Sequence, residues 1–158
     1  MKRLRYLIIH CTATPEGMSV DADMIRRWHL SPPPSGRGWR RVGYSDMILL
    51  DGRVVNLVEY DDNDYVEPWE ITNGAAGVND ASRHVVYAGG CQSDMRPKDT
   101  RTAAQRATMI RYVFDCVRKH PDILVAGHNQ FAAKACPSFN VPEWLRSIHI
   151  PERNRYCG

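Results

Sequence analysis

The sequence predicts an α/β fold, a single domain with a central mixed β-sheet flanked by helices. Three observations lead there. Short apolar strands are separated by helical segments along the chain, the pattern of a layered α/β domain. An Asp51-Gly52 pair between apolar runs marks a hairpin, which adds an antiparallel pair to the sheet. The 158 residues, 43% hydrophobic and 25% charged, suit one globular domain large enough to bury a core. Residues 1–150 are read as that domain and 151–158 as a C-terminal tail.

In chain order, residues 4–12 read as a buried first strand. The loop Thr14-Pro-Glu-Gly17 leads to a helix at about 21–30, with Asp21 as its N-cap and Ile25 and Trp28 on its apolar face. Ser31 to Gly38, with three consecutive prolines and two glycines, is a loop. From Tyr44 to Val58 the pattern is strand, turn, strand. Residues 59–83, rich in Asn, Asp and Gly, read as long surface loops. His84 to Gly90 is another strand, followed by a flexible loop over 93–99. A helix over 103–119 opens with a Thr102/Gln105 capping box, and Ala107, Ile110, Phe114 and Val117 are expected to line its buried face. Ile123 to Ala126 is a short buried strand leading into His128, and 142–147 is a last short helix with proline in its first turn.

The bulk numbers exclude several function classes. A net charge of +3, with the basic residues scattered, falls short of the dense basic face that nucleic acid requires. No apolar run is long enough to span a membrane. The charged start followed by an apolar patch resembles a leader, but the patch is about four residues against the roughly 7–15 a signal peptide needs. Synthesis in the cytoplasm without a leader is the expectation. Five cysteines without a CxxC pair indicate neither a disulfide framework nor a four-cysteine zinc site. Cys11, Cys91 and Cys116 read as small buried thiols, and Cys157 as a disordered free thiol.

The chemistry gathers in three places. His10 ends the first apolar run, His128 follows the Ile123–Ala126 run, and Cys136 lies eight residues after His128. Each taken alone is ordinary: a satisfied histidine or a buried thiol. Together, at strand ends and in loops, they form a borderline-soft ligand set that suits zinc, and three protein ligands leave a position for water. If the segment is extended, Lys134 points the same way as Cys136 and sets an ammonium beside the metal. A metal, an open position and a fixed cation suggest hydrolysis at a carbonyl.

A series of motifs carries a resemblance: Ile8-Ile-His-Cys-Thr-Ala-Thr14, Ile25-Arg-Arg-Trp-His29, Gly38-Trp39 with Val42-Gly-Tyr44, the Asp51-Gly52 hairpin, Gly77-Val-Asn79, Tyr87-Ala-Gly-Gly90 and the closing His128 to Phe139 segment. In this order, over about residues 4–146, the chain resembles the zinc-dependent N-acetylmuramoyl-L-alanine amidases of the phage lysozyme and peptidoglycan-recognition protein type. The resemblance implies a mixed sheet with zinc at the base of a surface groove. It implies His10, His128 and Cys136 as zinc ligands, Tyr44 and Lys134 as catalytic residues, and peptidoglycan as substrate. The cysteine ligand matches the phage-type branch rather than the branch with aspartate. A chain of this size without leader or separate wall-binding module fits a phage or prophage endolysin, expected to be monomeric.

Two positions depart from the family pattern. Ser45 stands where histidine commonly follows the tyrosine, and Gly74 where the family carries a histidine near the Gly-x-Asn segment. Neither is a ligand, so metal binding is expected to survive. His29 is expected to pack or to hydrogen-bond behind the site; His84, His120 and His149 are assigned to structure or surface. Trp39 and Trp69 are expected to pack, with stacking on sugar or peptide as the alternative. The rival function is a peptidoglycan-binding module without catalysis, against which Cys136, Tyr44 and Lys134 argue. A zinc deaminase would need His-x-Glu with Pro-Cys-x-x-Cys, and the usual zinc protease needs HExxH; both patterns are missing.

Overall fold

A computed structural model describes all of residues 1–158. The first half runs β1 (Lys2–Arg3), β2 (Tyr6–Cys11), β3 (Thr14–Pro15), α1 (Ala22–Leu30), β4 (Asp46–Ile48), β5 (Val54–Asn56) and β6 (Tyr65–Val66). The second half runs β7 (Ser82–Tyr87), β8 (Gly90–Cys91), α2 (Ala103–Lys119), β9 (Leu124–Gly127) and α3 (Val141–Ser147). The central sheet has the order β5-β4-β7-β2-β9, and only β5 is antiparallel to its neighbour. That is the mixed α/β sheet the sequence predicts, with the Asp51-Gly52 turn joining the antiparallel pair. Gly52 takes φ +87°, a left-handed conformation that glycine adopts without strain.

Side-chain alternation gives the sheet two different faces. Leu7, Ile9 and Cys11 of β2, with Val85 and Tyr87 of β7 and Val125 of β9, join Met109 and Val113 of α2 and Leu145 of α3 in the larger core. Val86 of β7 and Met47 of β4 point the other way, into a smaller cluster with Ile25 of α1 and Val42. His10 belongs to this second face.

Helix ends agree with the sequence signals. The Asp21 carboxylate accepts the Met24 N–H (2.8 Å), and Thr102 and Gln105 form the reciprocal capping box of α2. The buried face of α2 differs from expectation, however. Gln105, Thr108, Met109, Val113 and Cys116 point inward, whereas Ala107 is exposed and Phe114 is 41% exposed. Gln105 is buried because its amide donates to the Ala88 carbonyl (2.9 Å) at the sheet end. Once that polar residue is satisfied indoors, the whole helix turns with it.

Residues 59–83 also differ from the expected surface loops. The segment carries β6, which pairs with β1, and buries Val66, Glu70, Thr72, Ala75 and Ala81. The Glu70 carboxylate accepts the backbone N–H groups of Asp61 (2.6 Å) and Glu67 (2.7 Å), supplying locally the partners a ladder would give. Beyond α3, the Tyr156 N–H donates to the Val125 carbonyl (3.0 Å), and the Tyr156 ring stacks on Phe131.

Candidate metal centre and active site

Two strand ends and a turn assemble the site. In β2, His10 sits on the face opposite the main core and is 1% exposed. Parallel register pairs Ile9 with Gly127, so the residue after β9, His128, arrives beside His10. Their ring centroids lie 4.7 Å apart, about the spacing of neighbouring strands. A short 3₁₀ turn over His128–Gln130 then takes the chain back toward β2.

Cys136 is delivered by the turn that follows. Segment 131–138 consists of bends and turns rather than the extended strand considered for Lys134 and Cys136. Its position is fixed from β7 and β8: the Tyr87 hydroxyl donates to the Pro137 carbonyl (2.7 Å) and the Ser138 hydroxyl donates to the Gly90 carbonyl (2.8 Å). Ser138 holds φ +70°, so the turn is kept in a conformation non-glycine residues seldom adopt. The Cys11 N–H points at the Cys136 sulfur (3.2 Å), a donor that favours the thiolate.

The ligand atoms of His10, His128 and Cys136 all lie within 4.8 Å of one another. The Cys136 sulfur is 3.8 Å from His10 Nδ1. Zinc held tetrahedrally at ~2.05 Å from nitrogen and ~2.3 Å from sulfur would set these atoms about 3.6 Å apart. Two imidazoles, a thiol and this spacing fit a three-coordinate protein site open on its fourth side.

Electrostatics favour the metal-binding form at the two histidines and oppose it at the thiol. Burial, then the neighbouring imidazoles, and then Lys134 hold His10 well below the usual imidazole range. Burial and then Lys134 lower His128 as well. Both side chains therefore present neutral nitrogen lone pairs at neutral pH, the form that binds metal. The Cys136 thiol is raised, first by its hydrogen bond with Cys11 and then by burial, while Lys134 opposes the rise. Lys134 is exposed on a segment that is not a strand, and its positive charge bears on His10, His128 and Cys136.

Tyr44 packs its ring on His10 (5.1 Å between centroids) and on His29 (5.3 Å). Burial, with the Cys136 and Cys11 thiols, raises its phenol pKa, so the hydroxyl keeps its proton. His29 has the role expected behind the site: its Nδ1 accepts the Gly43 N–H (2.9 Å), which fixes the backbone one residue before Tyr44. Trp39 packs on His29 and under Arg37, and Trp69 is half-buried at 48% exposed. The largest cavity, about 760 Å³, is lined by Pro97, Asn129, Phe139, Arg146 and Tyr156, behind the Cys136 turn rather than over the ligands.

His84 is the residue the sequence reading passed over. It is fully buried in β7, and its Nδ1 lies 2.8 Å from His10 Nε2. His120 and His149 are structural and surface residues, as expected: His120 is buried against the Asp64 carboxylate (2.9 Å), and His149 is exposed.

The family model for N-acetylmuramoyl-L-alanine amidases matches residues 1–139. This chain belongs to that family. It is a peptidoglycan hydrolase of the amidase class. Among sequence relatives, the endolysin of Enterobacteria phage K11 is 28% identical over 147 residues, covering 93% of this chain and 89% of that protein. The endolysin of Escherichia phage T7 is 28% identical over 149 residues, covering 94% and 90%. The fold matches the N-acetylmuramoyl-L-alanine amidase LysC from Clostridium intestinale with a TM-score of 0.70 at 19% identity, covering 95% of this amidase and 88% of LysC. It also matches Drosophila PGRP-LB, with a TM-score of 0.68 at 20% identity over 93% and 82% of the two chains.

Proposed function

We propose that this amidase works with zinc held by His10, His128 and Cys136, that Tyr44 and Lys134 assist the reaction, and that the protein is a phage or prophage endolysin. The observation that carries the reading is the meeting of two neutral imidazoles from adjacent strand ends and one thiol from a turn, all within 4.8 Å. When bound there, zinc supplies a Lewis acid for the scissile carbonyl and makes water acidic enough to attack near neutral pH.

The chain's own residues do the rest. Tyr44, still protonated, donates a hydrogen bond to the carbonyl oxygen as negative charge builds on it. Lys134 adds a cation to the same region and is the group assigned to protonating the departing L-alanine amine. The turn carrying Cys136 is tied to Tyr87 and Gly90, so the third ligand is held in place before metal arrives. The endolysin reading is supported by phage relatives matched over 89% and 90% of their own lengths. In that role the enzyme reaches the wall after release from the cytoplasm in which it is made; no helix is long and apolar enough to cross a membrane.

The test is release of soluble stem peptides from purified sacculi by zinc-loaded protein, a chelated sample and Cys136→Ala. New L-alanine N-termini and free lactyl carboxyls, lost in both controls, support the assignment. Release that survives chelation and Cys136→Ala would sink the zinc mechanism. Sacculus binding without any new amine would make the chain a recognition module.

A further inference from the structure

The hydrogen bonds behind His10 continue away from the metal centre. His10 turns Nδ1 toward the Cys136 sulfur and leaves Nε2 facing His84 Nδ1 at 2.8 Å. The other ring nitrogen of His84 lies 3.0 Å from Asn79 Oδ1. That same Oδ1 accepts the backbone N–H of Ala75 (2.8 Å), while Asn79 Nδ2 donates to Asn73 Oδ1 (3.3 Å).

The direction of every bond follows from one end. The Ala75 N–H can only donate, so the Asn79 atom facing it is the carbonyl oxygen. An oxygen accepts, so His84 Nε2 carries the proton. A neutral His84 then offers a lone pair at Nδ1, and His10 must donate to it from Nε2. His10 is left with its lone pair on Nδ1, the nitrogen that faces Cys136.

We propose that Asn79 and His84 are positioning residues that fix the tautomer and ring orientation of His10 and so set the metal affinity of this amidase. The proposal rests on the reading of His10, His128 and Cys136 as the zinc site. Metal-bound histidines generally donate their second N–H to a neighbour that orients them. Here that neighbour is another imidazole, oriented in turn by the amide of a loop residue. The sheet supplies the geometry: Ile8 pairs with His84, so His84 lies diagonally from His10 on the same face.

Gly74 belongs to this arrangement. A Cβ at residue 74 would lie 2.5 Å from His84 Nδ1 and 2.7 Å from its Cγ, which no real contact tolerates. Glycine at this position, where the family pattern has histidine, leaves the room that the His84 imidazole occupies. The same Cβ would lie 2.6 Å from the Gly43 carbonyl oxygen, so glycine at 74 makes room for both the His84 ring and that backbone.

The experiment titrates metal-free protein with Zn²⁺ against a chromophoric chelator, for wild type, His84→Ala, Asn79→Leu and Asn79→Asp. The Co²⁺-substituted spectrum provides a second readout of ligand geometry. His84→Ala and Asn79→Leu should bind zinc about 10–100-fold more weakly and alter the Co²⁺ spectrum, as losses behind a metal ligand generally do. Asn79→Asp keeps an acceptor for both the Ala75 N–H and His84, and should stay within about threefold of wild type. Wild-type affinity in both folded His84→Ala and Asn79→Leu would overturn the proposal, as would Asn79→Asp falling as far as Asn79→Leu. If His84→Ala does not fold, the half-buried Asn79 pair decides alone. Wild type that binds no zinc would instead overturn the metal site itself, and the proposal with it.

Discussion

Tyr44→Phe isolates one donor. The ring is held by its packing on His10 and His29, at 5.1 and 5.3 Å between centroids, and neither contact uses the hydroxyl. The backbone beside it is held separately, by the Gly43 N–H on His29 Nδ1. Phenylalanine therefore keeps the shape and removes only the O–H. Because burial and the two nearby thiols raise the phenol pKa, the hydroxyl keeps its proton at neutral pH and is available as a donor rather than a base. Removing one such donor from a developing oxyanion typically lowers kcat by 10²–10³, or about 2.7–4 kcal/mol.

The assay is turnover of a soluble muramyl peptide, followed by the L-alanine amine it releases, alongside zinc affinity by chelator competition. The expected result is a fall of about 10²–10³ in kcat, with KM within about threefold and zinc affinity unchanged. The alkaline limb of the pH profile should not move, since the phenol does not ionise there. A loss under about fivefold in kcat/KM with the metal site full would refute the donor role. A drop in zinc affinity would mean that the hydroxyl supports the metal site itself rather than the developing oxyanion.

Lys134→Met should lower kcat by roughly 10² with zinc retained, and Lys134→Arg should recover part of the loss, measured in the same turnover assay. The structure also predicts an acid limb in stability. His29, 7% exposed, has its pKa lowered to about 4, mainly by burial, from 6.5. Its protonation favours the unfolded chain, so its contribution is complete above pH 6.5 and is lost as the pH falls toward 4. Chemical denaturation across that window should lose on the order of 3 kcal/mol through this residue, and a His29→Gln variant should show a flatter profile. Away from the site, the Asp46 carboxylate accepts from Tyr60 (2.5 Å), Tyr112 (2.6 Å) and Asn56 (2.9 Å). Tyr112→Phe should reduce unfolding stability by about 1.5–3 kcal/mol in urea, the usual worth of a hydrogen bond to a charged group.

What the sequence made legible was local. The α2 ends could be read because a capping box is four residues of chemistry, and the β4–β5 turn because Asp-Gly carries its own conformation. The inward face of α2 could not be read from apolar residues, since Gln105 takes a core position by reaching the Ala88 carbonyl from another element. Residues 59–83 looked like loops because Glu70 organises them through side-chain to backbone bonds, which leave no periodic trace. His10, Tyr44, His128, Lys134 and Cys136 stood out through motif and chemistry. His84 did not, because its meaning depends on the Ile8–His84 register, which brings it beside His10 from 74 residues away. A lone histidine in an apolar strand carries no mark of its neighbour.

That register binds the site to the fold. β2 gives Leu7, Ile9 and Cys11 to the main core and His10 to the other face, so a slip of one residue would send an imidazole into the core and an isoleucine to the metal. On one side, pairing with β9 places His128 next to His10 at strand spacing; on the other, pairing with β7 places His84 behind it. β7 also supplies Tyr87, whose hydroxyl holds the turn that carries Cys136. On the proposed reading the same strand pair orients His10 through His84 and anchors Cys136 through Tyr87, on opposite faces of one sheet. A core change that shifts β7 against β2 would disturb two ligands at once, so metal affinity should respond to packing more steeply than overall stability does.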